Sequence, residues 1–324
     1  MQFIPRLKIL FKLFNFFSNI SGSISSYILF LEIFYKLQKT TDIIVYTIYH
    51  MVKVFTIVKG EIDIVEDWVL YHGYLFGFTN LYVIDNYSRD GTYQKLLELQ
   101  KKFKINVTRL PDYKRKGEYM TYFMRKFCGH MEIAIPMDID EFIVYYDRNT
   151  NTMNCNSGTI NSYLRNLPLS PVFKMNYINA KLLTENGYED AAAQTEYGSY
   201  SDYKDFAKSF FRAGIFKGVI DHGNHYVTEN YHSTNLCLIH FHCRNLIQMQ
   251  KKVYNNVNGL GYDPHNVNEL KNLFENKVPG WHHVEHQIKI LENTYHIKFD
   301  THSDDDISLS PFTEVIMNIR RMYK

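Results

Sequence analysis

The sequence predicts an α/β protein with a mostly parallel sheet flanked by helices. Short apolar runs of strand length alternate with segments whose apolar residues recur at helical spacing, and glycine-containing turns separate them. This alternation is typical of parallel strands joined by crossover helices. Acidic residues also follow two of the apolar runs. Because such sheets bind ligands beyond the carboxyl ends of their strands, these acidic residues are candidate site residues.

The predicted elements follow one another closely from Val54 onward. Val54–Val58 is an apolar run that ends before Gly60, which indicates a first strand. Helical spacing from Ile64 to Phe76 predicts the first helix, and Gly77 is a typical helix stop. The next predicted elements are a strand over Leu81–Ile84, a helix over Thr92–Lys102, a strand over Ile105–Leu110, a helix over Gly117–Phe127 and a strand over Ile133–Met137.

The last of these strands is followed at once by Asp138-Ile139-Asp140. Two carboxylates one residue apart can hold a hard divalent cation, which in turn can hold a diphosphate. In isolation the same pattern is equally compatible with a solvated acidic turn. The upstream segment favours the functional interpretation.

That segment carries several motifs in a fixed order. They are Lys59-Gly60-Glu61, Glu66-Asp67-Trp68, Tyr71-His72, Gly77-Phe78 and Asp85-Asn86 through Thr92, followed downstream by Asp138-Ile139-Asp140-Glu141-Phe142. In this order they resemble nucleotide-sugar glycosyltransferases of the GT-A type, closest to the family 2-like and family 92 (DUF23-type) groups. The match is dense from about Val52 to Val144 and scattered as far as about Asn245. The resemblance implies a Rossmann-like GT-A sheet.

The resemblance also implies a reaction, namely transfer of a sugar from a nucleoside-diphosphate sugar. Asp138 and Asp140 would hold Mn²⁺ or Mg²⁺ across the diphosphate, where the metal stabilises the leaving group. Related enzymes complete the metal shell with a downstream histidine, and His242 is the candidate, with His240 beside it. The implied donor-binding residues are Lys59, Glu61, Asp85, Asp90 and Asp138, with Asp85 facing the base or ribose.

Inversion at the sugar requires a carboxylate that accepts the proton of the acceptor hydroxyl. Tyr188-Glu189-Asp190 resembles the motif that supplies it, so Asp190 is the predicted catalytic base. The alternative is structural, because Ala191-Ala192-Ala193 could begin a helix with Asp190 at its amino end. Residues 149–203 match the family loosely, so the acceptor, whether glycan, lipid or protein, stays open. Further basic residues that could meet the diphosphate are Lys208, Arg212 and Lys217.

Three regions are predicted in the 324-residue chain: an N-terminal helical or membrane-proximal segment (1–50), a GT-A domain (51–300) and a C-terminal tail (301–324). The uncharged stretch from Leu13 to Leu31 follows three basic residues and is long enough to span a bilayer. Its many Ser and Asn residues favour instead an amphipathic or packed helical pair. A cytoplasmic location and a membrane-associated one are both compatible with this segment.

Composition narrows the choice of function. A formal net charge of +2 indicates no strong attraction to nucleic acid. The four cysteines include no C-x-x-C pair and are predicted to be free thiols. A nucleotidyltransferase is the main alternative, although its first loop is normally rich in glycine and basic residues, unlike Lys59-Gly60-Glu61. A glycoside hydrolase would need paired carboxylates but no nucleotide. An inactive carbohydrate- or nucleotide-binding relative would bind without turnover.

Overall fold

The computed structural model describes residues 52–185, 187–202, 207–226, 228–278 and 280–323. The predictions made for residues 1–50, including the stretch from Leu13 to Leu31, lie outside these ranges. Within them, no helix combines the length and the apolar character needed to cross a membrane.

A single mixed sheet organises the described part of the chain. Its strands are β1 (Val52–Val58), β2 (Leu81–Asp85), β3 (Asn106–Arg109), β4 (Ile133–Pro136), β5 (Glu141–Asp147), β6 (Thr152–Asn154), β7 (Val172–Ala180), β8 (Tyr197–Ser201), β9 (Lys208–Arg212), β10 (His232–His240) and β11 (Ile307–Ser308). The spatial order is β3-β2-β1-β4-β9-β7-β10-β5-β6, with β8 beside β7 and β11 beside β8.

Most of these strands run in one direction. Strands β1 to β4 pair in parallel, and so do β7 and β10, whereas the other pairings are antiparallel. Two successive antiparallel pairings through β9 restore the direction, so β7 and β10 run the same way as β1 to β4. Among the described strands, β5, β8 and β9 run the opposite way. The predicted α/β class with a mostly parallel sheet is confirmed.

Nine α-helices lie within the described residues. They are α1 (Val65–Phe76), α2 (Thr92–Phe103), α3 (Lys116–Phe127), α4 (Ser157–Arg165), α5 (Ala191–Gln194), α6 (Leu246–Gly259), α7 (Val267–Glu275), α8 (Trp281–Leu291) and α9 (Ser310–Tyr323). All four strands and three helices predicted between Val54 and Met137 are present, and their ends shift by two residues at most.

Helix α1 is buried in the main core through three residues of the sequence motifs. The side chains of Trp68, Tyr71 and His72 are fully buried, and burying a large aromatic side chain contributes about 2 kcal/mol. The Tyr71 hydroxyl donates to the carbonyl of Ile143 at 2.7 Å. His72 Nδ1 lies 2.9 Å from the Trp68 carbonyl, and Nε2 accepts from the Ile143 amide at 3.4 Å. These motif residues therefore join α1 to β5 inside the core.

Most of the predicted C-terminal tail (301–324) packs into this core, from Ile307 to Ile319. Strand β11 pairs with β8, and α9 places Phe312, Ile316 and Ile319 in the main hydrophobic cluster. Their spacing of three and four residues forms one apolar face of a helix. Pro311 stands at the first turn of that helix, where its missing N–H costs nothing.

Helices α6, α7 and α8 form a separate, smaller core. It contains Val257, Leu270, Val284 and Ile288, and it is separate from the clusters that cover the sheet. This helical unit follows β10 directly in the chain and supplies several side chains to the cleft described next.

Candidate functional site

A cleft of about 670 Å³ opens at one edge of the sheet. The carboxyl ends of β1, β4 and β10 meet at this edge, together with the amino ends of the oppositely directed β5 and β9. Helices α3, α6 and α8 supply the facing side chains. The polar side chains that line it are those of Lys59, Glu61, Tyr113, Lys116, Asp138, Asp140, His222, His225, His240, His242, Lys252, Asn255, Asn256, His282 and His283.

Asp138 lies between two lysines. Its Oδ1 accepts from Lys116 Nζ at 2.5 Å and its Oδ2 from Lys208 Nζ at 2.7 Å. Both lysine side chains are almost fully buried, whereas about a third of the Asp138 side chain stays exposed. Burial alone would raise the pKa of Asp138, but the two ammonium groups hold it well below its usual value. Asp138 is therefore ionised at neutral pH.

Asp140 is paired with a third lysine. Its Oδ2 lies 2.6 Å from Lys252 Nζ and 3.7 Å from His240 Nε2. Burial opposes the ionised form, but Lys252 and then His240 hold the pKa of Asp140 well below its usual value. Lys252 Nζ also lies 3.3 Å from His242 Nδ1 and 3.2 Å from the His242 carbonyl oxygen. The lysine therefore connects Asp140 and His242, two of the three predicted metal ligands.

Glu141 completes the acidic motif behind the cleft. Its Oε2 accepts from the backbone amide of Asp138 at 2.8 Å, and its Oε1 lies 3.2 Å from Lys208 Nζ. Burial raises the pKa of Glu141, and Lys208 opposes this effect. Pairing of Glu141 with His240 in the β5–β10 register brings the acidic motif beside the end of β10. This register explains why residues a hundred positions apart in the chain share one site.

A buried arginine fixes the loop after β1. Arg244 Nε lies 2.7 Å from Asp63 Oδ2, and its Nη2 pairs with Glu61. Gly60 adopts a φ of +72°, which favours glycine, and its amide donates to Ser88 Oγ at 3.0 Å. Glu61 thus serves as an anchor for the loop, although it also lines the cleft.

Lys59 is the cleft lysine without a carboxylate partner. No carboxylate among the described residues lies within 4.0 Å of its Nζ. Burial and the charge of Arg89 lower the pKa of Lys59, while Asp85 opposes them. The structure brings Lys59, Glu61, Asp138, Asp140 and His242 together in one cleft, and their roles in binding a donor or a metal stay predictions.

Asp85 and Asp90 do not line this cleft. Asp85 is fully buried, its Oδ2 lies 2.9 Å from Arg109 Nε, and its Oδ1 accepts from the Ser88 amide at 3.2 Å. Asp90 Oδ1 accepts from the Thr92 hydroxyl at 2.6 Å, and Oδ2 pairs with Lys251. Both carboxylates hold turns together. Contact of Asp85 and Asp90 with the donor stays a prediction, and their positions outside the cleft do not support it.

Asp190, the predicted base, also lies outside the cleft. It precedes α5 and lines a different cavity of about 570 Å³ together with Asp67 and Arg320. Both of its carboxylate oxygens accept hydrogen bonds from Arg320. Hydrogen bonding to Arg320 is the main cause that lowers the pKa of Asp190. A lower pKa makes the carboxylate a weaker proton acceptor. The observed position of Asp190, directly before α5, matches the alternative prediction of a structural residue at the amino end of a helix.

The predicted metal ligands do not share an open coordination site. Both oxygens of Asp138 and one oxygen of Asp140 accept hydrogen bonds from lysines, and Lys252 Nζ stands between Asp140 and His242. Nowhere in the described ranges do three His, Cys, Asp or Glu side chains converge closely enough to hold one metal ion. As arranged, this donor set does not fit a divalent ion. Binding of Mn²⁺ or Mg²⁺ here stays a prediction.

Histidines form much of the cleft wall, but lysines carry its positive charge. Burial lowers the pKa of His222 and His225, and it lowers that of His283 to about 3. The charge of Lys252, followed by burial, lowers the pKa of His242 well below its usual value. These four imidazoles are therefore neutral at pH 7. In contrast, the pKa of Lys252 is raised, because Asp140 and Glu61 outweigh its burial.

Two lysines of the site were missed in the sequence. Lys116 stands at the start of α3 and Lys252 in the middle of α6, and neither belongs to a recognisable motif. A lysine on a helix is usually a solvated side chain, so its residue type gave no signal. Lys208 was among the residues proposed to meet a diphosphate. The structure instead places it behind Asp138, and it does not line the cleft.

Comparison with known proteins gives structural matches alone. No family model matches the sequence, and a search of curated proteins gives no match. The chain is similar to S. aureus TarS 1–349, with 11% identity, 75% of this chain and 71% of that chain covered, and a TM-score of 0.35. For TarS 1–349 in complex with UDP the identity is 12%, 81% of this chain and 99% of that chain are covered, and the TM-score is 0.34. The chain is also similar to the mannosyltransferase PcManGT from Pyrobaculum calidifontis in complex with GDP-Man and Mn²⁺. The identity is 10%, 74% of this chain and 69% of that chain are covered, and the TM-score is 0.36. With TM-scores below 0.5, none of these similarities identifies the function of this chain.

Proposed function

We propose that this chain is a glycosyltransferase that moves a sugar from a nucleoside-diphosphate sugar to an acceptor. The observation that carries the proposal is the meeting of two sequence motifs in one cleft. Lys59 and Glu61 follow β1, and Asp138 and Asp140 follow β4, at the same edge of the sheet. Ligands of α/β sheets bind at this edge.

The charges of the cleft suit a diphosphate. Lys59, Lys116 and Lys252 line it, and an ammonium group offers three hydrogen-bond donors. Among the described residues, Asp138 Oδ1 is the one acceptor within hydrogen-bond distance of Lys116 Nζ, so donors remain for a ligand. Lys59 has no carboxylate partner at all within the described ranges. These two lysines can therefore bind phosphate oxygens without breaking an ion pair.

The same lysines can assist the reaction. When the bond between sugar and phosphate breaks, negative charge accumulates on the leaving nucleoside diphosphate. Ammonium groups that are already in place stabilise this charge with little reorganisation. Lys116 and Lys252 are held by Asp138 and Asp140, so their positions are set before the donor binds. The predicted Mn²⁺ or Mg²⁺ would supply the same stabilisation if it replaced a lysine.

Inversion with Asp190 as base stays a prediction apart from this proposal. In its observed position Asp190 is held by Arg320 and lines the smaller cavity. The four carboxylates of the main motifs, Glu61, Asp138, Asp140 and Glu141, all have cationic partners. The lysines lower the pKa of Asp138 and Asp140, which makes these two carboxylates weaker proton acceptors.

The proposal is tested by a panel of nucleoside-diphosphate sugars. Donor binding should raise the melting temperature by mass action, and slow release of the nucleoside diphosphate should follow without an acceptor. Each donor is tested with EDTA and with Mn²⁺. Lys116→Met should lose the melting shift, whereas Lys289→Met should retain it, because Lys289 pairs with Glu285 on α8 and does not line the cleft.

The alternatives give different results in the same panel. A nucleotidyltransferase would bind nucleoside triphosphates and release pyrophosphate. An inactive relative would show the melting shift with no release of nucleoside diphosphate at any enzyme concentration. If no nucleoside diphosphate or its sugar derivative changed the melting temperature, the proposed function would be wrong.

A further inference from the structure

Lys252 reaches from the middle of α6 to the acidic motif. Its Nζ lies 2.6 Å from Asp140 Oδ2, 3.3 Å from His242 Nδ1 and 3.2 Å from the His242 carbonyl oxygen. Two of the three ligands predicted for a divalent ion therefore converge on one ammonium group. The side chain of Lys252 is 17% exposed, so this contact lies mostly away from solvent.

The helix that carries Lys252 is fastened to the loop after β1 by contacts on both sides of this residue. Before α6, the guanidinium of Arg244 pairs with Glu61 and Asp63. One turn after Lys252, Asn255 Nδ2 donates to the Lys59 carbonyl at 3.2 Å. The helix start is capped by Asn245, whose side chain accepts from the Gln248 amide. The helix backbone that carries Lys252 is thus held in place by hydrogen bonds and ion pairs.

Lys252 and a divalent ion cannot occupy this position together. A metal ion bound to Asp140 would approach its oxygen to about 2.0–2.6 Å, a space that Nζ already fills. Two cations so close would also repel one another strongly, because the surroundings are largely buried. A metal ion that bound Asp140 Oδ2 and His242 Nδ1 would therefore require Lys252 to leave both atoms.

We propose that Lys252 is the resident cation of the D-x-D site, so that the cleft binds a diphosphate through ammonium groups without a divalent metal ion. Asp140 and His242 hold the lysine, and the diphosphate bridges it to Lys116 and Lys59. The assignment of a diphosphate rests on the proposed function, whereas the assignment of the cation rests on the contacts of Lys252 alone.

The first test uses Mn²⁺ as the probe. Free Mn²⁺ is followed by electron paramagnetic resonance while it is titrated into the full chain. The wild-type protein should bind Mn²⁺ weakly. Lys252→Met should bind it at least about tenfold more tightly, because Asp140 and His242 become available, and tenfold corresponds to ~1.4 kcal/mol. The double variant Lys252→Met/Asp140→Asn should lose the added affinity, and Lys289→Met should match the wild-type protein.

The second test uses inorganic pyrophosphate in the presence of EDTA. Calorimetric titration should show binding to the wild-type protein, and 1 mM Mn²⁺ should change the affinity by less than about threefold, since the lysines supply the charge. Lys252→Met should weaken binding at least about tenfold in EDTA, because a charge-assisted contact is lost. Added Mn²⁺ should restore part of that loss in the variant.

Two outcomes would overturn the inference. One is tight binding of Mn²⁺ by the wild-type protein that Asp140→Asn abolishes, and another is pyrophosphate binding that requires Mn²⁺. Both are measured on the wild-type protein or a single variant, so they decide the matter even if Lys252→Met does not fold. If Mn²⁺ and pyrophosphate behave as expected while no nucleoside diphosphate binds, the proposed function fails and the resident cation stands.

Discussion

The guanidinium of Arg320, near the end of α9, forms a bidentate pair with Asp190, which precedes α5, through contacts of 2.5 Å and 2.7 Å. The same guanidinium contacts Asp67 on α1 at 2.7 Å and 2.5 Å. One arginine therefore joins three helices that are far apart in the chain. Asp190 owes its position to this network, because its two oxygens face Arg320.

Asp190→Asn should lower the free energy of unfolding with little effect on the cleft. The Asp190 side chain is 38% exposed, so the loss is expected to be about 1 kcal/mol once solvent screening is considered. Urea unfolding measures this loss, and pyrophosphate titration should give the wild-type affinity. Glu189→Gln is the matched control, since Glu189 is exposed. Wild-type stability combined with turnover at least a hundredfold lower would support Asp190 as the base.

His72 should make the protein less stable in acid. Burial lowers its pKa to about 3, whereas an unfolded chain has a histidine pKa of about 6.5. As pH falls below the unfolded value, the unfolded state takes up the proton first. The contribution of His72 is therefore complete above about pH 6.5 and is lost toward pH 3, with ~2 kcal/mol gone at pH 5.

This contribution appears as a slope in unfolding free energy between pH 7 and pH 5. His72→Asn should reduce the fall in unfolding free energy between pH 7 and pH 5 by ~2 kcal/mol, whatever its effect on stability at pH 7. His296→Asn is the control, because His296 is exposed. Equal slopes for His72→Asn and the wild-type protein would show that His72 is not the titrating group.

The first parallel strands and helices could be predicted because their signals are local. Apolar runs such as Val54–Val58 fix a strand, and Gly77 ends a helix, without information from the rest of the chain. The cleft edge was predictable for the same reason. Acidic residues that follow a parallel strand must lie at its carboxyl end, as Asp138 and Asp140 do.

Long-range pairs account for what the sequence did not reveal. Lys252 and Asp140 are 112 residues apart, and Arg320 and Asp190 are 130 apart. The packing of α6 and α9 decides these contacts, and no short motif encodes it. Asp90 shows the reverse, because two of its hydrogen bonds are local. Its motif suggested a ligand, but the hydroxyl and amide of Thr92, two residues away, already satisfy the carboxylate.

Asp90→Ala should therefore weaken the fold more than it weakens ligand binding. The change removes acceptors for the Thr92 hydroxyl and the Ile62 amide, and it also removes the partner of Lys251. A loss of about 1–2 kcal/mol is expected from hydrogen bonds of this kind. Chemical denaturation measures the loss, and pyrophosphate titration should show an affinity within about twofold of the wild-type value. A tenfold weaker affinity at unchanged stability would restore Asp90 as a donor-binding residue.

Lys116 and Lys208 share Asp138, but their replacement by methionine should have different effects. Lys116→Met should affect mainly ligand binding, and Lys208→Met mainly stability. Lys116 lines the cleft, so Lys116→Met should weaken pyrophosphate binding at least about tenfold, while Asp138 keeps Lys208 and stability falls little. Lys208 also pairs with the almost fully buried Glu141, so Lys208→Met leaves a buried carboxylate without its cation. Such a loss costs about 3 kcal/mol. Urea unfolding and pyrophosphate titration of both variants separate the two roles. Equal losses of affinity would mean that the lysines act on the ligand as one unit.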